Sequence, residues 1–376
     1  MDKNRVRYDI LDGMRGVAAL MVLLFHLFND AKSFYVWPTP VPEFFHGFLG
    51  VDFFFILSGF VMGYAYDRRW TDGMTLGGFV RRRLVRLHPM VVMGALIGAA
   101  CFLVQGSTKW DGTEVGIRAI MLATLLALFL IPSPTSLDVR GNTEIFPLNG
   151  PHWSLFFEYV GSLLYGLLLR RLSDSWLRVW VAGSICSLAA FALLMPDGGV
   201  AYGWSSEPAN MLGGALRMLY AYPMGLLMAR VFRQRNPKPL RGHVFLLGSL
   251  ALIVLLGMPW LLDKDVETIY QLVCLLSLFP ALIWFSARGT VSGWQRRTAA
   301  FLGRLSYPLY AVHFPFTYLF IAWVGRDGHP YEGYTQPWLP LVLTFAVSIV
   351  VAVLSMLLYD EPLRRFLGRK EMKKEK

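Results

Sequence analysis

Residues 341–359 have the sequence LVLTFAVSIVVAVLSMLLY, which contains no charged side chain. Comparable apolar runs occur at residues 16–27, 53–66, 161–169 and 246–262. A helix that is apolar around its whole circumference has no face for water, whereas lipid solvates it on every side. The chain is 55% hydrophobic and only 16% charged, compared with roughly 25% charged residues in soluble domains. We therefore predict an all-α, polytopic membrane helix bundle rather than a water-soluble domain.

The number of crossings follows from segment lengths and loop charges. Because a span needs ~20 apolar residues, the chain accommodates ten or eleven helices, and eleven apolar segments can be distinguished. Eleven crossings would place the basic turn at residues 170–178 outside, against the rule that basic loops face the cytoplasm. A non-spanning segment at residues 117–131, which is short and followed by two prolines, removes the conflict. We predict about ten transmembrane helices plus one non-spanning segment, with both termini cytoplasmic.

The distribution of charge also limits the partners of the chain. Residues 1–376 are predicted to form a single transmembrane domain with a short basic cytoplasmic tail at residues 360–376. The net charge of +11 lies in alternate loops rather than on one patch, which argues against nucleic acid and predicts contact with the lipid of the cell inner (plasma) membrane. The three cysteines lie in apolar segments without the spacing of a metal site, so no metal is predicted. The sequence predicts no oligomeric state.

Arg15 and His26 are ionisable residues inside the first predicted span. Such a residue costs ~2.5–3.5 kcal/mol even on insertion scales, which makes each one a candidate functional residue. The two are eleven residues apart, which brings them within ~20° of one direction and separates them by about 16 Å along a helix axis. A long ligand lying along this helix would meet an anion-binding group at Arg15 and a reactive group at His26. The alternative is a snorkelling arginine and a hydrogen-bonded core histidine.

His26 is the predicted catalytic base, because burial disfavours its charged form and leaves a neutral ring that can accept a proton. A carboxylate beside it would fix its tautomer, as the acid does in a hydrolase triad. Asp52 and Glu158, near the predicted outer ends of two later spans, are at a suitable depth and complete the catalytic candidates. The alternative for Asp52 is an exposed helix cap. His152 and Trp153 are candidate substrate-binding residues because they lie beside Glu158 in the sequence.

The sequence RRRLVR at residues 81–86 lies on the predicted cytoplasmic side, just before the third span. Guanidinium groups bind phosphate oxygens in bidentate fashion, so Arg83, Arg86 and Arg15 are candidates to bind a polyanionic cofactor. Anchoring of the chain by the positive-inside rule accounts for the same run of arginines equally well. The sequence alone favours neither interpretation.

A later helix supplies two further candidates for the cofactor channel. Ser306 and Tyr307 lie near its predicted cytoplasmic end, where they would line such a channel. The alternative is that a helix starts here with Pro308 in its first turn, a position that proline favours. His313 lies deeper and is interpreted as a packing residue.

Six short motifs follow one another along some 350 residues of the chain. They are LDGMRGVAA at residues 11–19 with His26, GVDFFFILSGF at residues 50–60, Arg83 and Arg86 with Pro89, Trp153-Ser154-Leu155 with Glu158, Ser306-Tyr307-Pro308-Leu309-Tyr310 with His313, and Glu361-Pro362. In this order they resemble the motifs of the acyltransferase-3 family of multi-spanning membrane acyltransferases. No single motif is decisive, but six in the right order make a chance resemblance improbable.

The resemblance implies an enzyme that transfers an acyl group from acyl-CoA, usually acetyl-CoA, to a carbohydrate hydroxyl. The acceptor is often an exported polysaccharide or its lipid-linked precursor. It also implies that the arginine and histidine of the first helix and the Arg83 and Arg86 pair are needed for activity. Some relatives carry a fused extracytoplasmic esterase-like domain, and we do not expect such a domain in this sequence. The resemblance therefore leaves two alternatives open: direct acylation of the acceptor, or passage of the acyl group to a separate extracytoplasmic partner.

Two other functions compete with this one. An acyltransferase acting on a small molecule such as a macrolide, or on peptidoglycan, would have the same sequence features. A secondary transporter would use the buried histidine, glutamate and arginine residues as proton or anion relays. Inverted repeats, which many transporters contain, are not evident in this sequence.

Overall fold

A computed structural model describes residues 3–30, 46–261, 263–324 and 338–372. Regular secondary structure in these ranges is helical apart from isolated bridged pairs such as Thr108 with Glu114. A helix satisfies its own backbone hydrogen bonds, as a lipid environment requires. The predicted all-α membrane helix bundle is therefore confirmed. The helices are α1 (Lys3–Phe25), α2 (Gly50–Thr71), α3 (Leu76–Gln105), α4 (Ile117–Leu128), α5 (His152–Leu167), α6 (Asp174–Leu194), α7 (Pro208–Arg235), α8 (Val244–Leu256), α9 (Lys264–Val273), α10 (Phe279–Ala287), α11 (Gly293–Val312), α12 (Phe314–Val324), α13 (Trp338–Leu354) and α14 (Glu361–Met372).

Six helical stretches in the described ranges are long and apolar enough to cross a membrane. The predicted non-spanning segment corresponds to α4, whose 12 residues extend about 18 Å, less than the ~30 Å hydrocarbon core. The 13-residue α8 is nearly as short, so the number of ten crossings stays a prediction. The six stretches are Asp9–Asn29, Gly47–Thr71, Leu76–Gln105, Asp174–Leu194, Lys264–Ala287 and Trp338–Gly368.

Three of these stretches contain a π-helical turn. One follows α1 at His26–Asp30, one joins α9 to α10 at Cys274–Leu278, and one joins α13 to α14 at Ser355–Asp360. A π-turn inserts an extra residue into a helix and is frequent at functional sites. The third turn makes the predicted basic tail continuous with the last span, because α14 begins directly at Glu361.

The bundle is built on close helix pairs, of which α2 with α7 is the tightest. A Cβ atom on Gly225 of α7 would lie 1.9 Å from the carbonyl oxygen of Ile56, and one on Gly59 of α2 would lie 2.0 Å from that of Tyr222. Only glycine at these two positions lets the backbones approach so closely. Helix α1 packs along α11 in a similar way, since a Cβ atom on Gly16 would lie 2.4 Å from the carbonyl oxygen of Leu302.

A folded loop at residues 129–151 packs against α3 and α12. Its centre is Arg140, whose buried guanidinium donates to the carbonyl of Pro147 at 2.5 Å and to the amide oxygen of Gln105 in α3 at 2.8 Å. The same guanidinium lies 3.5 Å from the ring centroid of Tyr318 in α12. These contacts fix the loop to α3 and α12, and Tyr318 also contacts Glu144 of the same loop.

Candidate active site

Two cavities lie one after the other along α1. The first, which we name the arginine cavity, has a volume of about 360 Å³. Its charged lining residues are Asp9, Asp12, Arg15, Arg83, Arg86, Glu158, Arg304 and Arg364. The second, the histidine cavity, has a volume of about 580 Å³. Its polar and aromatic lining includes His26, Asn29, Phe48, Trp110, Asn142, Glu144, Trp153, Trp204, Arg217, Trp260, Tyr310, Phe314 and Tyr318.

The two cavities share a wall. Val51 of α2 and Tyr310 of α11 line both of them. The hydroxyl of Tyr310 lies 2.6 Å from that of Ser154, a residue that lines the arginine cavity. A ligand that fills the arginine cavity therefore reaches the same two side chains as a ligand that fills the histidine cavity.

Arg15 and His26 face these two adjacent cavities. Arg15 lines the arginine cavity, where its Nη1 donates to Asp12 Oδ1 at 3.2 Å. His26 lines the histidine cavity. Regular α-helix ends at Phe25, so the π-turn that starts at His26 sets the direction of the imidazole. The helical stretch Asp9–Asn29 thus carries one residue to each cavity, as expected for two residues on the same side of a helix.

A second imidazole lies against His26. The ring centroids of His26 and His313 are 5.5 Å apart, and Phe314 packs edge-on to His26 at 4.5 Å. Nδ1 of His313 lies 3.0 Å from the carbonyl oxygens of both Leu309 and Tyr310. Because a carbonyl only accepts, Nδ1 carries the proton and Nε2 carries the lone pair. This Nε2 is buried and has no hydrogen-bond partner in the described part of the chain.

Glu158 is engaged by Arg83 in the arginine cavity. Nη2 of Arg83 donates to the Glu158 carboxylate, and its Nε donates to Ser162 Oγ at 3.1 Å. Both charged side chains are nearly buried, with exposed fractions of 6% and 11%. Glu158 therefore pairs with Arg83 in the arginine cavity rather than with His26, which lines only the histidine cavity. It also neutralises much of the charge that Arg83 was expected to offer a cofactor.

Asp52 is engaged by an arginine that the sequence had not singled out. Nε of Arg217 in α7 donates to Asp52 Oδ1 at 2.9 Å, and Nη2 donates to Oδ2 at 2.6 Å. Asp52 is fully buried, so the alternative of an exposed cap is wrong. The remaining nitrogen Nη1 donates to the carbonyl of Tyr202 at 2.6 Å, and Arg217 lines the histidine cavity. Asp52 thus orients a cationic wall of that cavity.

The other candidates for the cofactor channel all line the arginine cavity. They are Arg86, Ser306 and Tyr307. The hydroxyl of Ser306 donates to the carbonyl of Gly303 at 2.8 Å, and that of Tyr307 donates to the carbonyl of Leu87 at 2.6 Å. Helix α11 begins far upstream, so the alternative that a helix starts here with Pro308 in its first turn is wrong.

The two predicted substrate-binding residues have different positions. Trp153 lines the histidine cavity, where its ring lies 5.1 Å from the guanidinium of Arg217. His152 is fully buried behind this wall, with Nε2 at 3.0 Å from Nδ2 of Asn149. The same Nδ2 donates to the carbonyl of Ala311 at 2.8 Å, so His152 belongs to a contact between α5 and α11. Of the pair, Trp153 is the one that a ligand in this cavity would touch.

Several lining residues were missed in the sequence analysis. Arg217 had a usable signal, because it is a single arginine in an apolar stretch and such residues mark functional sites. Glu144 had none, since it lies in a loop with no recognisable pattern. Arg304 and Arg364 were hidden among the arginines expected of basic loops.

The stability of the protein is expected to depend on the ionisation of Glu144. Tyr318 donates a hydrogen bond to this carboxyl group. Burial raises the pKa of Glu144 from its ordinary value of 4.5 to about 7, although the charge of Arg140 opposes the shift. The native state therefore holds a proton that the unfolded state has lost, and stability should fall as the pH rises from about 4.5 through 7, by roughly 3 kcal/mol.

Thermal unfolding of Glu144→Gln between pH 5 and 8 tests this expectation. The amide keeps the side chain neutral at every pH, so the melting temperature of the variant should decline less than that of the wild-type protein. Glu114→Gln, at an exposed position in a nearby turn, is the matched control. Parallel pH profiles for wild type and Glu144→Gln would contradict the assignment.

Residues 8–359 match a family model described as an acyltransferase domain. The chain belongs to the acyltransferase-3 family. This acyltransferase is therefore an integral membrane enzyme that transfers acyl groups. Arg15, His26, Arg83, Arg86 and the other motif residues up to His313 all fall within the matched range.

Three relatives show how far the similarity extends. The acyltransferase is 27% identical over 412 residues to an acyltransferase of Streptomyces mycarofaciens, a match that covers 98% of this chain and 95% of that protein. It is 25% identical to a putative O-acetyltransferase of Staphylococcus aureus. This match covers 94% of this chain and 57% of that longer protein. A Rhizobium radiobacter protein named protein 2 in the picA locus is 35% identical over 166 residues, covering 42% of this chain and 81% of that protein. No solved structure shows significant similarity.

Proposed function

We propose that the protein transfers an acyl group, most simply acetyl, from cytoplasmic acyl-CoA to a hydroxyl of a cell-surface or exported polysaccharide or of its lipid-linked precursor. The observation that carries the proposal is the pair of adjacent cavities with one shared wall at Val51 and Tyr310. One cavity is lined by arginines and the other by His26, aromatic rings and a carboxyl group. A donor in one cavity and an acceptor in the other would therefore contact the same two side chains from opposite sides, and transfer would take place where these side chains separate them.

The charge of the arginine cavity supports acyl-CoA as the donor. Five arginines and three carboxylates line it, so its field is positive and favours a polyanion. The thioester end of acyl-CoA is uncharged and distant from the phosphates, which suits it to the deeper, partly apolar region near Phe54 and Tyr310. Ser306 and Tyr307 would line the path of the pantetheine arm.

The lining of the histidine cavity supports a carbohydrate acceptor. Four tryptophans, Trp110, Trp153, Trp204 and Trp260, line it. Flat aromatic faces pack against the C–H faces of sugar rings, while polar side chains on the same wall bind hydroxyl groups. Asn142 and Glu144 are such side chains here. The printed name of the Staphylococcus aureus relative, a putative O-acetyltransferase, is consistent with a hydroxyl acceptor.

The chemistry proposed for His26 is general base catalysis. Its imidazole accepts the proton of the acceptor hydroxyl as the hydroxyl oxygen bonds to the thioester carbonyl carbon. The C–S bond then breaks, and the proton on His26 passes to the departing CoA thiolate. Asp52 acts at a distance by holding Arg217, and Glu158 acts by holding Arg83. A variant of this scheme, in which His26 itself carries the acyl group before the acceptor takes it, uses the same residues.

We propose that the protein lies in the inner membrane of the cell with its arginine cavity toward the cytoplasm. Three basic elements support this orientation, because the ends of α2 and α7 and the turn after α5 meet in one groove. The groove is lined by Asp67, Trp70, Thr71, Arg170, Arg171, Leu172, Arg230, Arg233 and Gln234. Basic residues gathered at one end of a bundle mark its cytoplasmic side.

The experiment that tests the function uses purified protein in lipid nanodiscs with radiolabelled acetyl-CoA. Release of free CoA thiol is followed together with transfer of label to cell-surface glycans supplied as acceptors. We expect thiol release above the rate in empty nanodiscs, and a further increase when an acceptor that becomes labelled is present. Protein that releases no thiol from acetyl-, propionyl- or butyryl-CoA would contradict the proposed donor.

A further inference from the structure

The mouth of the arginine cavity continues into an open surface groove, which we name the mouth groove. It is lined by Arg304 of α11 and by Glu361, Arg364 and Arg365 of α14. Arg304 and Arg364 also line the arginine cavity, so the groove and the cavity are continuous. Nothing in the proposed transfer step uses this groove.

Two carboxylates, those of Asp360 and Glu361, pair with the three arginines of the mouth groove. Nε of Arg304 donates to Glu361 Oε1 at 2.6 Å, and Nη2 of Arg365 donates to Glu361 Oε2 at 3.1 Å. Arg364 is paired with Asp360, whose side chain is fully buried. A guanidinium has five N–H donors, and each of these contacts involves one guanidinium nitrogen. The contacts therefore orient the three groups and leave further donors for a ligand in the groove that all three side chains line. With three cations and two carboxylates, the groove also retains a net positive charge.

The exposure of the arginines increases from the cavity to the groove. The side chain of Arg83 is only 6% exposed and is already paired with Glu158. The corresponding fractions are 32% for Arg364, 50% for Arg304 and 73% for Arg365. A doubly charged phosphate loses less hydration at the exposed end, whereas deep burial is costly unless every charge is paired. The groove is therefore the better position for the most highly charged part of a ligand.

We propose that Arg304, Arg364 and Arg365 bind the 3′-phosphate on the ribose of the donor CoA. The inference rests on the proposed function, because it assumes that CoA occupies the arginine cavity. Along CoA the thioester is followed by the pantetheine arm, the diphosphate and finally the ribose with its 3′-phosphate. With the thioester at the shared wall, the diphosphate comes to lie near Arg86 and Arg15, and the 3′-phosphate reaches the mouth groove.

The probe that isolates this contact is dephospho-CoA, which differs from CoA only by the missing 3′-phosphate. Binding of CoA and of dephospho-CoA is measured by calorimetry on the full-length protein in nanodiscs of zwitterionic lipid. We expect the wild-type protein to bind CoA at least about tenfold more tightly, because hydrogen bonds between charged groups are the strongest that a protein makes. Because Arg364 and Arg304 also line the arginine cavity, Arg364→Gln and Arg304→Gln should each weaken the binding of both ligands but should weaken CoA binding more, so that the preference for CoA falls.

Two further variants separate the loss of this contact from misfolding and from a general loss of positive charge. Arg365→Gln changes the most exposed of the three arginines and should reduce the preference for CoA without affecting folding. Arg235→Gln, at an exposed position at the end of α7, removes the same charge elsewhere and should preserve the preference. Equal affinity of the wild-type protein for CoA and dephospho-CoA would overturn the inference. Equal weakening of both ligands by Arg304→Gln and Arg364→Gln would do so as well.

The rival occupant of the mouth groove is the phosphate of an anionic lipid. In that case Arg365→Gln would lower the melting temperature only in nanodiscs that contain phosphatidylglycerol and would not alter CoA binding, a result that overturns the inference. Failure of the proposed function would give a different result from failure of this subsite. In that case the protein would bind neither CoA nor dephospho-CoA and would release no thiol from acetyl-CoA, because acyl-CoA would not be its donor. A protein that consumes acetyl-CoA and acetyl-dephospho-CoA equally well keeps the function and loses only this subsite.

Discussion

Replacement of His26 by alanine is expected to lower the rate of acyl transfer by roughly 100- to 10,000-fold, the usual contribution of a general base. The loss should appear in kcat, while the KM for acetyl-CoA changes little. This separation is expected because His26 lines the histidine cavity, whereas the proposed donor site is the arginine cavity. Initial rates of thiol release, measured with a range of acetyl-CoA concentrations, give both constants.

The control for this experiment is His243→Ala. His243 lies in the turn before α8, where its Nδ1 is 2.7 Å from Gln295 Nε2, and it lines neither cavity. The control should therefore retain wild-type kinetics. Full transfer activity in His26→Ala would refute both the general-base mechanism and its acyl-histidine variant. A large rise in KM for acetyl-CoA with an unchanged kcat would instead assign His26 to donor binding.

Replacement of Arg217 by alanine should produce the largest loss of stability. Asp52 is fully buried and Arg217 is 2% exposed, so removal of the guanidinium leaves an uncompensated carboxylate inside the bundle. Breaking a buried ion pair in this way typically costs about 3–5 kcal/mol. The loss is measured as the change in the free energy of unfolding in mixed detergent micelles.

The matched control is Arg235→Ala, an arginine of the same helix that is exposed at its end. This variant should unfold within about 0.5 kcal/mol of the wild-type protein, as exposed substitutions usually do. A double variant, Asp52→Leu with Arg217→Met, should recover much of the stability because it removes both charges together. If Arg217→Ala were as stable as the control, the Asp52–Arg217 pair would not contribute to the fold as described.

Residues on one helix were easier to predict than contacts between helices. Arg15 and His26 belong to one helical stretch, and their spacing alone indicated that both would lie on the same side of it. Three further predicted residues also line a cavity: Trp153 lines the histidine cavity, and Ser306 and Tyr307 line the arginine cavity. Each of them could be found from the sequence because it lies in a short contiguous motif. The roles of these residues in binding and catalysis stay predictions.

The partners of the buried carboxylates could not be predicted in this way. Glu158 was expected beside His26, but it binds Arg83, which is 75 residues away in the sequence. Asp52 binds Arg217 over a separation of 165 residues. Neither pairing leaves a periodic signal, because both depend on how α2, α3, α5 and α7 pack. The contact between His313 and His26 could not be predicted either, since it arises only when the end of α11 lies against the end of α1.

The sequence by itself determined that this protein is a membrane helix bundle of the acyltransferase-3 family, and it singled out ionisable residues such as Arg15, His26 and Glu158 within the predicted spans. It could do so because the requirement of a hydrocarbon environment acts on each segment separately and is visible in composition and spacing. Only the tertiary structure decided which cation meets which carboxylate and how the lining residues divide into two cavities with one shared wall. Those features depend on the distances between helices. Glycine contacts such as that of Gly59 with Tyr222 set these distances, and no local sequence pattern encodes them.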